Sequence, residues 1–543
     1  MRILTTKSWQ LPIIISILVT SAITVYLQIL PVGFLSDDFG EVAMAVHAHN
    51  DGFIYSLLPQ KNSTGKGFIR PLIKLSYQMD YWLWGLSASG YHFTNIMGHA
   101  VNTVLVYWLA LLLPQLFAFT TPFSQNHALP AFLAALLFAV TAHHAEAVTW
   151  IAGRTDVLVT LFSLLSLIAY SRYLLEFRKK FLILALAAFF LALMTKEMAI
   201  SLPILVVLLG FFSYSSSPLK IRHLIISIVC FLAIALLYLV GRYVMLNTVI
   251  GGYGTDTHVK LDILLLLANV IMFTWKALVP HFLHSSLVII KTAMPLIHYY
   301  LAAVIVLLIL AGFGGGFFRF KHPLTKFLAI VLMLFVVSLL PVISLGVSFT
   351  DTQSERFLYF PSVFISIAVV YLLISIVRPA LFFFFYATIW ICCVMDLYLI
   401  NGHWMVAGEL AQQSIKTINT QVGNSKKPIL ITNLPDNFKG AYVFRNGIYN
   451  AVQLFGNSQS KILFFATYNI HNLNEQVIMK HTKSNTTSVF EVTLPKSSRF
   501  VKTERKGPVT IQLHHPRKLV IVYPNSENRI SVFHHTGAKL EKM

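Results

Sequence analysis

Eleven runs of mostly apolar residues divide this chain, near 10–31, 91–114, 129–147, 156–175, 181–196, 198–213, 223–241, 297–317, 326–345, 359–377 and 380–400. A helix needs roughly 20 such residues to cross a bilayer. The 543 residues are 56% hydrophobic and only 11% charged, where soluble proteins carry about 25% charged residues. A water-soluble enzyme is excluded, and a polytopic α-helical membrane protein of about eleven transmembrane helices is expected. The net charge of +20 reads first as a topology signal and an attraction to anionic membrane lipids; no nucleic-acid partner is expected. Cys230, Cys392 and Cys393 all lie in apolar runs, which leaves no disulfide framework or zinc site.

The first run follows Arg2 and Lys7 without a small-residue cleavage site and reads as a retained anchor. Basic clusters set the orientation: Arg172, Arg178, Lys179 and Lys180; Lys220, Arg222 and His223; Arg319, Lys321 and Lys326; and Arg378. All fall on one side if the N-terminus is cytoplasmic, and an odd number of spans then puts the C-terminus outside. Residues 262–296 are apolar but interrupted by Pro280, His281, His284, Lys291 and Pro295, which predicts an interfacial or re-entrant segment. Residues 1–400 thus form the membrane domain, with a first outer loop over about 32–90. Residues 401–543 carry 18 Lys and Arg against 7 Asp and Glu, a balance of +11. Their short β-like runs, Lys461–Thr467, Ser488–Leu494, Val509–Leu513 and Leu519–Tyr523, alternate with turn residues and predict a basic, mostly β domain outside the membrane.

With that topology, acidic residues gather at the outer ends of spans: Asp37, Asp38 and Glu41; Glu146 and Asp156; Glu197 beside Lys196; and Asp351 and Glu355 beside Arg356. Charge near lipid is costly unless paired or wetted, so four clusters on one face point to a polar outer cavity. In Asp37-Asp38, repulsion can raise one pKa and fit one member for general-base work. Arg70 offers a fork for phosphate, and Glu355-Arg356 with Tyr359 could clamp an anionic headgroup or form a salt bridge that fixes the start of the next span. His92, Asn95 and His99 share one face of the second span, either lining a cavity or tying helices together. His144 and Glu146 could take a divalent metal, although the His-Glu-x-x-His spacing is absent. Tyr81, Trp82 and Trp84 could stack on a sugar or pack at the interface.

The ordered blocks Ser36-Asp37-Asp38-Phe39, Arg70-Pro71-Leu72, Tyr91-His92-x-x-Asn95-x-x-x-His99, His144-x-Glu146-Ala147-Val148, Gly153-Arg154-x-Asp156, Lys196-Glu197 and Glu355-Arg356-Phe357-Leu358-Tyr359-x-Pro361-Ser362 span about residues 33–365. In these the chain resembles the transmembrane and tetratricopeptide-repeat O-mannosyltransferases, and with them the protein O-mannosyltransferases of the GT-C superfold. The resemblance implies a GT-C-like fold and an inverting hexosyltransferase. Such an enzyme takes a sugar from a polyprenyl-phosphate donor to a hydroxyl of a protein, lipid or glycan acceptor on the outer face. It implies a catalytic acidic residue in the first outer loop, here Asp37 or Asp38. Arg356, Arg154, Arg70 and Lys196 would then bind donor phosphate, with His92, Asn95, His144, Glu146, Asp156, Glu197 and Glu355 as acceptor or cavity residues. A metal is left open, on Glu146 and His144 if any. No 34-residue repeat is present. The segment Leu434-Pro435-Asp436 through Arg445-Asn446-Gly447 resembles tails of bacterial membrane glycosyltransferases, which favours a bacterial inner membrane with a periplasmic C-terminal domain over an endoplasmic reticulum membrane. A lipid or glycan flippase and a non-catalytic scaffold with a glycan-binding outer domain are the alternatives.

Overall fold

The computed structural model describes residues 10–51, 67–119, 127–214, 221–249, 262–283, 323–348, 351–422, 428–456, 461–484, 486–505, 509–524 and 530–542. The run expected at 297–317, the second part of 262–296, and Arg2, Lys7, Lys220, Arg319 and Lys321 lie outside the described residues.

Helix α1 (Gln10–Thr24) leads through a 3-10 turn into the segment that holds α2 (Asp38–Asp51) and α3 (Pro71–Trp84). Pro71 opens α3, where its missing N–H would have had no helical partner. Next come α4 (Ala88–Leu116), α5 (Ala128–Ala139), the single turn α6 (Ala145–Val148), α7 (Arg154–Glu176) and α8 (Lys179–Leu193). Then follow α9 (Leu202–Tyr214), α10 (Ile221–Leu246), α11 (Ile263–Leu278), α12 (Pro323–Leu339), α13 (Ser362–Ile376) and α14 (Pro379–Val422).

Among the described residues, five helical segments are long and apolar enough to cross a membrane: Gln10–Ile29, Ala88–Leu116, Ile151–Glu176, Ile221–Leu246 and Pro379–Val422. The expected span at 129–147 is broken, bent by 55° between Ala128–Ala139 and Ala142–Val148. Helices α9, α11, α12 and α13 are apolar but shorter. Large apolar side chains stay exposed along α10, among them Leu232, Leu236, Leu237, Val240 and Val244, as lipid contact requires and water would penalise. The chain is an integral membrane protein built mostly of helices.

The break in the third run has a physical cause in α4. A helix that stops inside the membrane frees carbonyl groups that must find donors in the protein. His99 Nε2 faces the carbonyl of Ala139 at 3.0 Å, and Asn95 Nδ2 donates to those of Val148, Trp150 and Ile151 at 3.2–3.3 Å. One turn further on, Asn102 Nδ2 donates to the carbonyl of Val157 at 2.8 Å. Because Nε2 of His99 meets a carbonyl it carries the proton, so Nδ1 accepts from the Tyr359 hydroxyl at 2.7 Å.

The expected boundary after residue 400 falls inside α14. This helix runs 44 residues, about 66 Å at 1.5 Å per residue, so it leaves the membrane as a stalk. The strands then form two sheets. The first has the order β10-β9-β1-β3-β6, with β2 (Ala441–Tyr442) paired to β1. Strand β1 (Ile429–Phe438) is buried along its whole length and runs parallel to both β3 (Ile462–Ile470) and β9 (Ser531–His535). Parallel neighbours need a crossover, and α15 (Ile448–Phe455) supplies it between β1 and β3. β6 (Phe500–Arg505) and β10 (Leu540–Lys542) close the two edges antiparallel. The second sheet, β4-β5-β8-β7, is all antiparallel over Ile478–Lys483, Thr487–Thr493, Lys518–Pro524 and Thr510–His515. The four predicted β runs fall on β3, β5, β7 and β8, while the parallel centre around β1 went unread.

Candidate active site

Asp37 and Asp38 occupy different surroundings. Asp38 opens α2 and is fully buried. Its Oδ2 accepts the backbone N–H of Leu35 at 2.9 Å and its Oδ1 that of Ala152 at 2.8 Å, so it ties the start of α2 to the turn before α7. Burial pushes its carboxyl well above the ordinary range, against those two backbone bonds. Asp37 is half-buried, and its Oδ1 accepts from Nδ2 of Asn446, in the C-terminal domain, at 2.7 Å. Glu41 lies one helical turn further on, where its N–H donates to the carbonyl of Asp37 at 3.1 Å. Burial pushes the Glu41 carboxyl up to about 7; Asp37 adds to this, and Arg70, Lys74 and Arg154 oppose it.

Behind these carboxylates the predicted cations are ion-paired. Arg70 meets Glu197 with Nη2 at 2.6 Å and Nε at 3.2 Å, a fork-to-fork geometry. Arg154 meets Asp80 at 2.6 Å, and its guanidinium lies 4.3 Å from the Tyr77 ring centre. Lys196 meets Asp156 at 2.6 Å. Arg356 stands 3.9 Å from the other oxygen of Asp156, pairs with Glu146, and donates its backbone N–H to Glu146 Oε2 at 3.0 Å. The Tyr442 hydroxyl, from the C-terminal domain, donates to the same Glu146 at 3.2 Å. Arg70, Arg154, Lys196 and Arg356 are thus matched by Glu197, Asp80, Asp156 and Glu146. The side chains of Arg70 and Arg356 remain 15% exposed, those of Arg154 and Lys196 only 2% and 1%. Arg70 and Arg356 are thus the more exposed of the four.

Gly153 makes this arrangement possible. A Cβ there would run into the carbonyl oxygens of Glu146 and Ala147, so only glycine lets the turn before α7 pack onto α6. That packing brings Glu146 and Asp156 to the same arginine.

Glu355 belongs to a separate buried network. Its carboxylate meets Lys276 Nζ at 2.7 Å and His281 Nε2 at 2.7 Å, and His281 Nδ1 meets Asp396 at 3.0 Å. Burial would raise Glu355, but His281 and Lys276 hold it well below the usual carboxylate range. Burial would lower His281, but Glu355 and Asp396 push it up to about 9.

The remaining predicted residues have structural partners. His92 Nε2 meets the carbonyl of Val32 at 2.9 Å, and Asn95 serves the broken helix. His144 Nε2 meets the Ser362 hydroxyl at 2.7 Å while Glu146 faces Arg356, so these two do not form one ligand set. Among the described residues no group of three or more His, Cys, Asp and Glu could hold a metal. Sequence reasoning missed Asp80, Lys276, Asp396, Tyr442 and Asn446. Asp396 carried a readable signal, being the lone charge within the apolar run 380–400. A cleft of about 520 Å³ opens beside Phe39, lined among others by Val32, Phe34, Ser89, Gln412 and Lys416. Trp82 lines a second, of about 350 Å³, with His49 and Gln78.

No family model matches the chain. Protein O-mannosyl-transferase Tmtc1 of Drosophila melanogaster is 32% identical over 188 residues, 33% of this chain and 20% of that protein. A protein O-mannosyl-transferase of Caenorhabditis elegans is 30% identical over 193 residues, 36% and 24% of the two chains. Human protein O-mannosyl-transferase TMTC4 is 35% identical over 122 residues, 22% and 16%. The aligned part spans a quarter or less of the length of these curated relatives. Among solved structures, ArnT from Cupriavidus metallidurans bound to undecaprenyl phosphate aligns at a TM-score of 0.39 and 11% identity over 95% of this chain and 98% of that one, a likeness too slight to define the fold. Over about a third of its length, this integral membrane protein is similar in sequence to the protein O-mannosyl-transferases.

Proposed function

We propose that the chain is an inverting GT-C-type glycosyltransferase that moves a sugar, mannose or a similar hexose, from a polyprenyl-phosphate carrier to a hydroxyl at the outer membrane face. The observation that carries the reading is Asp37, a half-buried carboxylate held by Asn446, in a domain whose predicted cations Arg70, Lys196 and Arg356 are each matched by a carboxylate. Asp37 takes the proton of the acceptor hydroxyl, whose oxygen attacks the anomeric carbon. The bond from that carbon to the phosphate oxygen breaks, and polyprenyl phosphate leaves. Arg70 and Arg356 meet the charge on the departing phosphate, while Arg154 and Lys196 hold the framework. The similarity to protein O-mannosyl-transferases supports sugar transfer. A protein, lipid or glycan acceptor fits equally. The tail motif favours a bacterial inner membrane with the C-terminal domain in the periplasm.

The test is purified protein in proteoliposomes with a panel of polyprenyl-phosphate hexoses and hydroxyl acceptors. Release of polyprenyl phosphate coupled to acceptor glycosylation supports the reading. Movement of the lipid-linked sugar across the bilayer without bond cleavage would make the chain a flippase instead. Binding without either would make it a scaffold.

A further inference from the structure

One segment of the C-terminal domain reaches three of the outer clusters. Ser36, just before the Asp37-Asp38 pair, donates its N–H to the carbonyl of Val443 at 2.9 Å, and Phe39 stacks on Phe444 at 6.1 Å between ring centres. Tyr442 bonds Glu146, and Arg445 donates to the Gln353 side chain at 2.8 Å. Gly447 has φ +85, and a Cβ there would strike the carbonyl oxygen of Ser36. This close approach delivers Asn446 to Asp37. The Asn446 amide is oriented from both ends: Nδ2 donates to Asp37 at 2.7 Å, and Oδ1 accepts from the Lys502 ammonium at 3.2 Å. A carboxylate can only accept and an ammonium can only donate, so the opposite amide orientation is excluded.

We propose that the C-terminal domain completes the catalytic centre, with Asn446 a positioning residue that holds the Asp37 carboxylate by one oxygen and leaves the other to the acceptor hydroxyl. The inference rests on the reading of Asp37 as the base. Its consequence is that the membrane domain alone has an unsteered base, and that residues of β6 and of the β2–α15 turn set the transfer rate.

The experiment compares wild type, Asn446→Ala and Asn446→Gln in proteoliposomes, with transfer followed across pH and folding checked by thermal unfolding. A hydrogen bond donated to a carboxylate favours its charged form. Its loss in Asn446→Ala should therefore move the acidic limb of the rate profile to higher pH. The rate on the plateau should fall roughly ten- to a hundredfold. Asn446→Gln keeps an amide donor and should recover part of both. A rate loss with an unmoved acidic limb and no rescue by glutamine would reduce Asn446 to a docking contact and overturn the proposal. An unchanged rate and profile in Asn446→Ala, with wild type active, would overturn it while leaving the function standing. No sugar transfer by wild type from any donor would overturn both.

Discussion

Asp37 and Asp38 are neighbours in sequence, yet the chain turns one toward water and locks the other against backbone. Asp38→Asn would present an amide NH2 to one of the two backbone N–H groups it now accepts, at a cost of about 1–3 kcal/mol for the unpaired donor. A lowered unfolding temperature in detergent is the expected result; unchanged stability would contradict the clamp. Glu41 gives a second residue-scale prediction. Burial raises its carboxyl from 4.5 to about 7, so the folded protein retains a proton that the unfolded chain releases between these values. Its contribution to stability is complete below pH 4.5 and is lost as pH rises through about 7. Glu41→Gln carries no such loss. Its unfolding temperature relative to wild type should rise between about pH 5 and about pH 8, and a flat difference would contradict the shift. The acidic pair and its place just after the first apolar run were legible in the sequence. Which member is accessible was not, because it depends on Leu35, Ala152 and Asn446, the last of them 409 residues away from Asp37.

At the scale of elements, the polar stripe of α4 was readable from spacing, but spacing alone left open whether it lines a cavity or ties helices together. His92, Asn95 and His99 share a face because a helix repeats every 3.6 residues. His99 meets the carbonyl that ends α5, Asn95 meets those at and after the end of α6, and His92 meets that of Val32. Hydropathy averages over a bend and reads 129–147 as one span. Asn95→Leu should leave three carbonyls without that donor, costing about 1–3 kcal/mol. Gly153→Ala should destabilise by a similar amount, about 1–3 kcal/mol, because backbone rather than a yielding side chain blocks the new Cβ. Thermal unfolding of the two variants checks both, and wild-type stability in either would contradict the account of the break. The parallel centre of the C-terminal domain escaped the sequence for a related reason. β1 is buried along its length, so it lacks the alternation that marks a one-sided strand, and it carries Thr432, Asn433, Asp436 and Asn437 into the core. Thr432, Asn433 and Asp436 find their partners in His534, His535 and Arg445, which lie elsewhere in the chain.

For the whole molecule, α7 sets the two sides apart. Its first residues, Arg154 and Asp156, join the ion-paired cluster, and Arg178, Lys179 and Lys180 follow its far end. The helix between spans 23 residues, about 34 Å at 1.5 Å per residue, enough to separate the two membrane faces. Asn446 bonds Asp37, so this part of the C-terminal domain lies at the site, and the basic loops predict that both are on the outer side. In a chain with Cys230, Cys392 and Cys393 replaced, Lys480→Cys should react with a membrane-impermeant maleimide from outside. Lys180→Cys should react only after permeabilisation, and the opposite pattern would invert the topology. Charge and hydropathy act one segment at a time, so the sidedness they predict is what this labelling decides. The site required the fold, since each predicted cation turned out to face a carboxylate from another element. The most direct test of the central claim is single-turnover transfer from a polyprenyl-phosphate hexose by Asp37→Asn. The account predicts a rate about 10²–10⁴ lower than wild type, with donor binding and unfolding temperature retained. Wild-type transfer by Asp37→Asn would contradict it.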